Sequence, residues 1–133
     1  MAAKVLDSFA LVAYFRDEAG AETVENLLVV ASGKDAPLHM SEVNYAEAKY
    51  IIIKKNGRAA WEKAATALQG LPIEFHAAVR SLADKAADFK SRCRLSLADA
   101  FAVALAKEKK AELVTGDPEF KEVEGEIKIH WLK

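Results

Sequence analysis

The sequence predicts an α/β fold of three layers, α/β/α, with helices on both faces of a mostly parallel sheet. Short apolar runs that are typical of strands alternate with helical patterns of about ten residues or more. This alternation implies right-handed crossovers between parallel strands. Glycine and proline are scarce and 52% of the residues are hydrophobic, which is enough for a buried core.

The predicted elements follow one another without a repeat or a linker. Strands are expected at residues 4–6, 38–40, 71–75, 112–115 and 127–131, and helices at 8–15, 21–30, 42–55, 58–69, 77–89 and from Ser96 to about residue 109. Residues 32–37 are rich in turn formers, and Gly70 is expected to end the fourth helix. The whole chain, residues 1–133, is therefore expected to form one domain.

Composition excludes several classes of protein. No segment approaches the roughly 18 apolar residues of a membrane helix, and the N-terminus lacks signal-peptide architecture, so we expect a cytoplasmic protein. Cys93 is the only cysteine, which rules out an internal disulfide. Its neighbours Arg92 and Arg94 would favour a thiolate, yet a lone cysteine is more often a packing residue than a nucleophile.

Three aspartates each stand at the expected start of a helix or turn. Asp7 follows the first strand, and Asp99 lies three residues after Ser96, as in a capping box with Asp in place of the usual Glu. Asp117 precedes Pro118, a pair that marks a turn or a new helical cap. Taken singly, each aspartate is explained by capping alone.

Glu47 is harder to explain as a structural residue. The helical pattern places it in an apolar stripe with Val43, Ala46, Tyr50 and Ile51, so that its neighbours at i+3 and i+4 are not basic. A carboxylate that faces the core needs a strong compensating interaction, because burying an unpaired charge is costly. A bound cation would supply that interaction.

The four acids are expected to converge. Asp7 and Asp117 stand just past the ends of strands, while Glu47 and Asp99 lie in the first two turns of helices that pack on the sheet. Ligands of open parallel sheets bind beyond the carboxyl ends of the strands. Four carboxylates there would repel one another without a divalent cation, and an all-oxygen set favours magnesium or manganese over zinc.

Four segments resemble the motifs of PIN domains, and the chain is similar in size to the VapC toxins of toxin–antitoxin pairs. Residues 5–11 resemble the opening motif, a strand that ends in Asp followed by Ser, and residues 40–47 resemble the second, whose acid is three residues after Asn44. That match selects Glu47 rather than Glu42. Residues 95–100 and 113–120 are similar to the third and fourth motifs, which together are quite specific, whereas the first alone would be weak.

The resemblance, which spans residues 4–120, implies a five-stranded PIN fold and a metal-dependent endoribonuclease that uses Mg²⁺ or Mn²⁺. It also implies inhibition by a VapB-type antitoxin protein and, commonly, a homodimer. By this match the catalytic and metal-binding residues are Asp7, Glu47, Asp99 and Asp117. The hypothesis for the reaction is in-line attack of a metal-activated water on an RNA phosphodiester, which leaves a 5′-phosphate. Ser8 and Thr115 adjoin site acids and are expected to hydrogen-bond them, with ordinary capping and strand packing as the alternative.

Contacts to RNA and to partners are open at the level of sequence. The formal net charge is −1, so RNA contacts would need a local patch, metal ions or a dimer groove. The aromatic residues of the first four helices either form a groove for an antitoxin helix or belong to the core. The three histidines lack metal-ligand spacing and are expected to have a structural role or to lie on the surface. The basic candidates for RNA contact, each equally explained as part of a solvated face, are Lys54, Lys55, Arg58, Arg80, Lys85, Lys90, Arg92 and Arg94.

Two rival enzyme or signalling folds fit poorly. A haloacid-dehalogenase-type phosphatase needs a second Asp two residues after the first, where this chain has Phe9. A receiver domain needs a Lys after a late strand, and the sequence around Asp117 offers none. The alternatives that stay open are a PIN-like module that binds RNA or protein without cutting it, and a scaffold with a fortuitous acid cluster.

Overall fold

The computed structural model describes residues 3–132, which form five strands, six α-helices and one 3₁₀-helix. The strands are β1 (Lys4–Leu6), β2 (Leu38–Ser41), β3 (Ile73–His76), β4 (Glu112–Thr115) and β5 (Ile129–Trp131). The α-helices are α1 (Ser8–Arg16), α2 (Ala21–Lys34), α3 (Glu42–Asn56), α4 (Arg58–Leu68), α5 (Arg80–Arg92) and α6 (Leu97–Lys109), and the 3₁₀-helix spans Pro118–Val123.

The five strands form one sheet in the order β3-β2-β1-β4-β5, and every pairing among the described strands is parallel. Val5 of the central strand stands beside His39 on one side and Leu113 on the other. The predicted fold class is therefore confirmed. Parallel pairing also brings the carboxyl ends of β1 and β4 side by side. Asp7 follows the first of these strands and Asp117 the second.

The two faces of the sheet bury different clusters, because successive residues of a strand point to opposite faces. Leu6 and Val114 pack against α1 and α2, whereas Val5 and Leu113 pack against α5 and α6. Helix α6 is buried at every residue from Asp99 to Ala106. An acid at the start of so deeply packed a helix is held in a fixed place.

Several predicted boundaries were wrong. Helix α2 continues to Lys34, beyond the predicted end at residue 30, and ends at Asp35, whose left-handed backbone donates to the carbonyls of Ala31 and Ser32. The first half of the predicted turn, residues 32–34, is thus helical. Helix α5 begins at Arg80 rather than at residue 77, because Val79 is extended.

Gly70 does not end α4 in the predicted manner. The helix ends at Leu68, and Gly70 lacks the positive φ of a left-handed cap. Its N–H donates instead to the carbonyl of Ala67, which closes a tight final turn. Pro72 follows two residues later and has no N–H to continue the helix. The edge strands are also shorter at their starts than predicted, at Ile73 and Ile129.

The aromatic residues of the first four helices divide between core and surface. Trp61 is buried in the cluster between α3, α4 and the sheet, with an edge contact to Tyr45. Tyr14 and Phe15 are half-buried, and Phe9 is 43% exposed. Cys93 is a half-buried free thiol that packs against the core, as expected of a packing residue. Among residues 3–132, no helix is both long and apolar enough to cross a membrane.

Candidate functional site

Asp7 is the buried centre of the site. It follows β1 and is the N-cap of α1, with one carboxylate oxygen accepting from the N–H of Ala10 at 2.9 Å. The other oxygen accepts from the hydroxyl of Thr115 at 2.5 Å, and the residue is only 1% exposed. The capping interpretation of Asp7 is therefore correct, and the cap also fixes the orientation of a buried carboxylate.

Thr115 links two of the acids. Besides donating to Asp7, its hydroxyl oxygen accepts from the backbone N–H of Asp117 at 3.1 Å. The geometry follows from the sheet, because β1 and β4 are neighbours and both acids follow their last residues. One hydroxyl thus sets the spacing between the loop after β1 and the loop after β4.

Asp99 enters the site from the start of α6. Its backbone N–H donates to the hydroxyl of Ser96 at 3.1 Å, which is one of the two bonds of the predicted capping box. The residue is 9% exposed. Its carboxylate faces the other acids, as its electrostatic interactions with Asp117 and Glu47 indicate.

Asn44 ties the start of α3 to the start of α6. The side chain is fully buried, its amide nitrogen donates to the carbonyl of Ala98 at 3.0 Å, and its amide oxygen accepts from the Ser41 hydroxyl at 2.8 Å. In the sequence, Asn44 served only as the motif residue from which Glu47 was identified. Its positioning contact to the residue before Asp99 has no local signal, because the partner is 54 positions away.

The predicted apolar stripe around Glu47 was wrong. The buried side of α3 carries Asn44, Ala48 and Ile52, whereas Ala46 is exposed and Tyr50 is 53% exposed. The polar Asn44 occupies a core position because both its amide nitrogen and its amide oxygen have hydrogen-bond partners, which a pattern of apolar residues cannot anticipate. Glu47 is half-buried at the edge of this face, and the Ser8 hydroxyl donates to its carboxylate.

Asp117 is the N-cap of the 3₁₀-helix and brings a fifth acid with it. Its carboxylate accepts from the N–H of Glu119 at 2.9 Å. The carboxylates of Asp99, Asp117 and Glu119 offer oxygens that lie within 4.8 Å of one another. Glu119 is exposed, as expected. It lies two residues after Asp117, in the first turn of the 3₁₀-helix, and its carboxylate is close to the cluster.

Burial and mutual repulsion make this cluster costly to ionise. Burial raises the pKa of Asp7 from 3.8 to about 7, and the negative charges of Asp99 and Asp117 add to the rise against the hydrogen bonds from Thr115 and Ala10. Burial followed by the charge of Asp117 raises the pKa of Asp99 to about 6. Both carboxyls hold a proton near neutral pH more tightly than a free carboxyl does.

The chemistry of the donors fits a hard divalent cation. The cluster offers carboxylate oxygens from separate elements, which is the ligand type that Mg²⁺ and Mn²⁺ prefer. A cation would replace the protons and offset the burial and the mutual repulsion that together raise these pKa values. The structure therefore places all four predicted acids around one end of β1 and β4, with Glu119 beside them.

Phe9 packs closely on Gly116, the residue between Thr115 and Asp117. A Cβ atom added to Gly116 would lie 2.7 Å from Cζ of Phe9, so the ring rests directly on the glycine backbone between Thr115 and Asp117. A side chain at this position would require the Phe9 ring, which is 43% exposed, to move.

Two of the predicted basic candidates for RNA contact are engaged elsewhere. Lys85 pairs with Glu108 at 3.0 Å, and Arg92 pairs with Glu126 through two hydrogen bonds of 2.7 and 2.9 Å. The remaining candidates are exposed: Lys54, Lys55, Arg58, Arg80, Lys90 and Arg94.

Comparisons with known proteins agree with this architecture. No curated protein sequence matches the chain significantly. The solved VapBC2 from Rickettsia felis, bound to a DNA fragment from its promoter, is 14% identical with a TM-score of 0.78, over 98% of each chain. Mycobacterium tuberculosis VapC20, described as a Sarcin-Ricin loop cleaving toxin, is 17% identical with a TM-score of 0.74, over 91% of this chain and 95% of that one. DNA-bound VapBC from Salmonella typhimurium is 15% identical with a TM-score of 0.74, over 98% of each chain. At these identities the likeness concerns the fold, and a family model described as the PIN domain matches residues 4–126.

Proposed function

The chain belongs to the PIN-domain family, and from that premise we propose that it is a metal-dependent endoribonuclease, the toxin of a VapBC-type toxin–antitoxin pair. The observation that carries the proposal is the convergence of Asp7, Asp99 and Asp117 at the ends of β1 and β4. Ionised, these groups repel one another, which is the condition that a divalent cation relieves. A structural role alone does not require so costly an arrangement.

In this proposal Asp7, Glu47, Asp99 and Asp117 hold Mg²⁺ or Mn²⁺ and are the catalytic residues. When bound, the ion supplies an activated water and stabilises the charge that develops on the phosphate and on the leaving 3′-oxygen. Glu119 lies close enough to join the cluster from its exposed side.

The hydroxyl groups have a separate role, which is to hold the acids in position. The hydroxyl of Thr115 donates to the carboxyl of Asp7 and accepts from the backbone N–H of Asp117. The hydroxyl of Ser8 donates to the carboxylate of Glu47. Each hydroxyl donates to one carboxyl oxygen, leaving other lone pairs of that group for the cation. Because these donors belong to β4 and α1, the site is preorganised by the fold.

The expected partners follow from the same proposal. An RNA is the substrate, a VapB-type antitoxin is the inhibitor, and the chain acts as a homodimer in the cytoplasm, as one domain over residues 1–133. Support comes from the fold neighbours, one described as a toxin that cleaves the Sarcin-Ricin loop and others as VapBC assemblies. The low overall charge means that phosphate contacts must be local or shared across a dimer.

The experiment is cleavage of a mixed RNA pool by the purified protein with Mg²⁺, Mn²⁺ or EDTA, beside an Asp99→Asn variant. We expect cleavage with either metal, none in EDTA, and products that carry a 5′-phosphate, detected by a 5′-phosphate-dependent exonuclease. Asp88→Asn, an exposed aspartate of α5, is the matched control and should cleave as the unaltered protein does. The absence of cleavage, together with no thermal stabilisation by either metal, would favour a binding module that does not cut.

A further inference from the structure

Two histidines and a glutamate converge at the edge of the sheet, apart from the four acids. Nδ1 of His39 on β2 lies 2.9 Å from Nε2 of His76 on β3, and that nitrogen lies 3.4 Å from Oε2 of Glu74. The three ligand atoms all lie within 4.8 Å of one another. The histidines are 37 positions apart, so no local motif marks them.

The backbone pairing of β2 and β3 builds this cluster. His39 stands in register with Glu74, so the two side chains lie on the same face of the sheet. His76 is two residues after Glu74 and returns to that face. The convergence thus follows from strand register, and it involves β3, the edge strand of the sheet.

We propose that His39, Glu74 and His76 bind a borderline transition-metal ion of the Zn²⁺ class, with water completing the coordination. Two imidazoles and one carboxylate suit zinc, cobalt, nickel or copper, whereas the aspartate cluster suits Mg²⁺ or Mn²⁺. Tetrahedral zinc, with Zn–N bonds of about 2.0–2.1 Å, places its donor atoms roughly 3.3 Å apart. The separations of 2.9 and 3.4 Å are already close to that spacing.

The pKa of His39 is compatible with metal binding. Burial, followed by the proximity of His76, lowers the pKa of His39, while Glu74 opposes the shift and the ammonium of Lys109 adds to it. This lowered pKa favours the neutral imidazole, which is the form that ligates a metal. Binding replaces the hydrogen atom shared by the two facing nitrogens, and the donor ring takes its other tautomer.

A bound ion would fasten the edge strand. Among the described strands β3 pairs only with β2, and an ion held by both would cross-link them. A ligand that binds the folded state alone stabilises it in proportion to the logarithm of its concentration over its Kd. Zinc should therefore raise the unfolding temperature without requiring the aspartate cluster.

The experiment is calorimetric titration of Zn²⁺ into tag-free protein carrying Asp99→Asn, with the visible spectrum of Co²⁺ as a second readout. We expect one ion per chain, a cobalt spectrum typical of tetrahedral nitrogen and oxygen ligands, and a rise in unfolding temperature. Adding His76→Ala should weaken zinc binding by at least about tenfold, since even indirect partners of a metal contribute that much. The matched control is His130→Ala, which removes the remaining histidine, on β5.

A measurement on the intact side chains guards against a variant that fails to fold. Addition of Zn²⁺ should shift the imidazole ¹⁵N resonances of His39 Nδ1 and His76 Nε2 while leaving those of His130 in place. Equal zinc affinity in the His76→Ala and His130→Ala proteins would overturn the proposal. So would unchanged imidazole resonances at saturating zinc. Neither result bears on RNA cleavage, so the two proposals fail independently.

Discussion

The hydroxyl of Thr115 donates a 2.5 Å hydrogen bond to the carboxylate of Asp7, across 108 positions of sequence. The same hydroxyl accepts from the backbone of Asp117. Because β1 and β4 are adjacent parallel strands, a single side chain fixes the relation between the two loops that carry the aspartates. The geometry of the proposed metal site is therefore set by the sheet and not by the metal alone.

Replacing Thr115 by valine, which has nearly the same shape, should remove both bonds. The partly buried N–H of Asp117 and the buried carboxyl of Asp7 would each lose a partner, at a cost of about 1–3 kcal/mol to the free energy of unfolding. We expect metal affinity and RNA cleavage to fall by roughly 10- to 100-fold, because Asp7 is no longer oriented. Thr115→Ser keeps the hydroxyl and should recover most of the cleavage, as kinetics at fixed Mg²⁺ would show. Equal rates for the valine and serine variants would contradict this role.

Asn44→Ala tests the link between α3 and α6. The variant leaves the carbonyl of Ala98 and the hydroxyl of Ser41 without their partner in the core, which should destabilise the fold by about 1–3 kcal/mol. Cleavage per folded molecule should also fall, because the turn before Asp99 is released. Urea unfolding measures the first effect, and Asn26→Ala, on the exposed face of α2, is the control. A variant as stable as that control would refute the assignment.

The pH dependence of the metal-free protein follows from Asp7 and Asp99. Their pKa values in the folded state, about 7 and about 6, exceed the ordinary value of 3.8. The folded state therefore binds protons more tightly, and the stability due to these protons, full below about pH 4, is lost as the pH rises through 6 and 7. His39, whose pKa is lowered by burial, acts in the opposite direction. The difference between the unaltered protein and Asp7→Asn isolates the contribution of Asp7.

We accordingly expect Asp7→Asn to gain stability relative to the unaltered protein as the pH rises from 5 to 8 in EDTA. Urea midpoints at each pH provide the measurement. Saturating Mg²⁺ should abolish most of the difference in slope, because the cation takes the place of the protons. Parallel midpoint curves for the two proteins in EDTA would show that the carboxyl of Asp7 titrates normally.

Glu119→Gln tests the exposed fifth acid. Its carboxylate lies within 4.8 Å of those of Asp99 and Asp117, but it is exposed, so its electrostatic contribution is screened by solvent. We expect a loss of metal affinity of a few-fold, smaller than the loss in Asp99→Asn. Isothermal titration with Mn²⁺ checks this order, with Glu62→Gln on α4 as the control. An effect as large as that of Asp99→Asn would make Glu119 an essential ligand.

The sequence predicted the fold class and the convergence of the acids because both follow from short-range patterns. Strand–helix alternation implies parallel pairing, and residues that follow parallel strands meet at one edge. This rule alone is enough to predict that Asp7 and Asp117 lie close together. The local capping bonds of Asp7, Asp99 and Asp117 were also readable from spacing, and they proved compatible with a shared site.

Features that depend on contacts between distant residues were missed. The apolar stripe of α3 was assigned wrongly because Asn44 is buried through a hydrogen bond to α6, and no local pattern reveals that partner. The facing histidines of β2 and β3 depend on strand register, which spacing within the chain does not specify. Helix α2 runs on to Lys34 because the turn formers Ser32 and Gly33 did not outweigh the helix that precedes them, whereas α5 begins only at Arg80 because Val79 is extended.

We propose that one set of carboxylates both holds the divalent ion and is required for RNA cleavage. The most direct test is to count bound Mn²⁺ by electron paramagnetic resonance and to measure RNA cleavage in the same samples of unaltered and Asp99→Asn protein. We predict that Asp99→Asn loses bound manganese and cleavage together, while remaining at least as stable as the unaltered protein in EDTA. Undiminished cleavage by the variant, with manganese binding unchanged, would show that Asp99 is neither a metal ligand nor a catalytic residue.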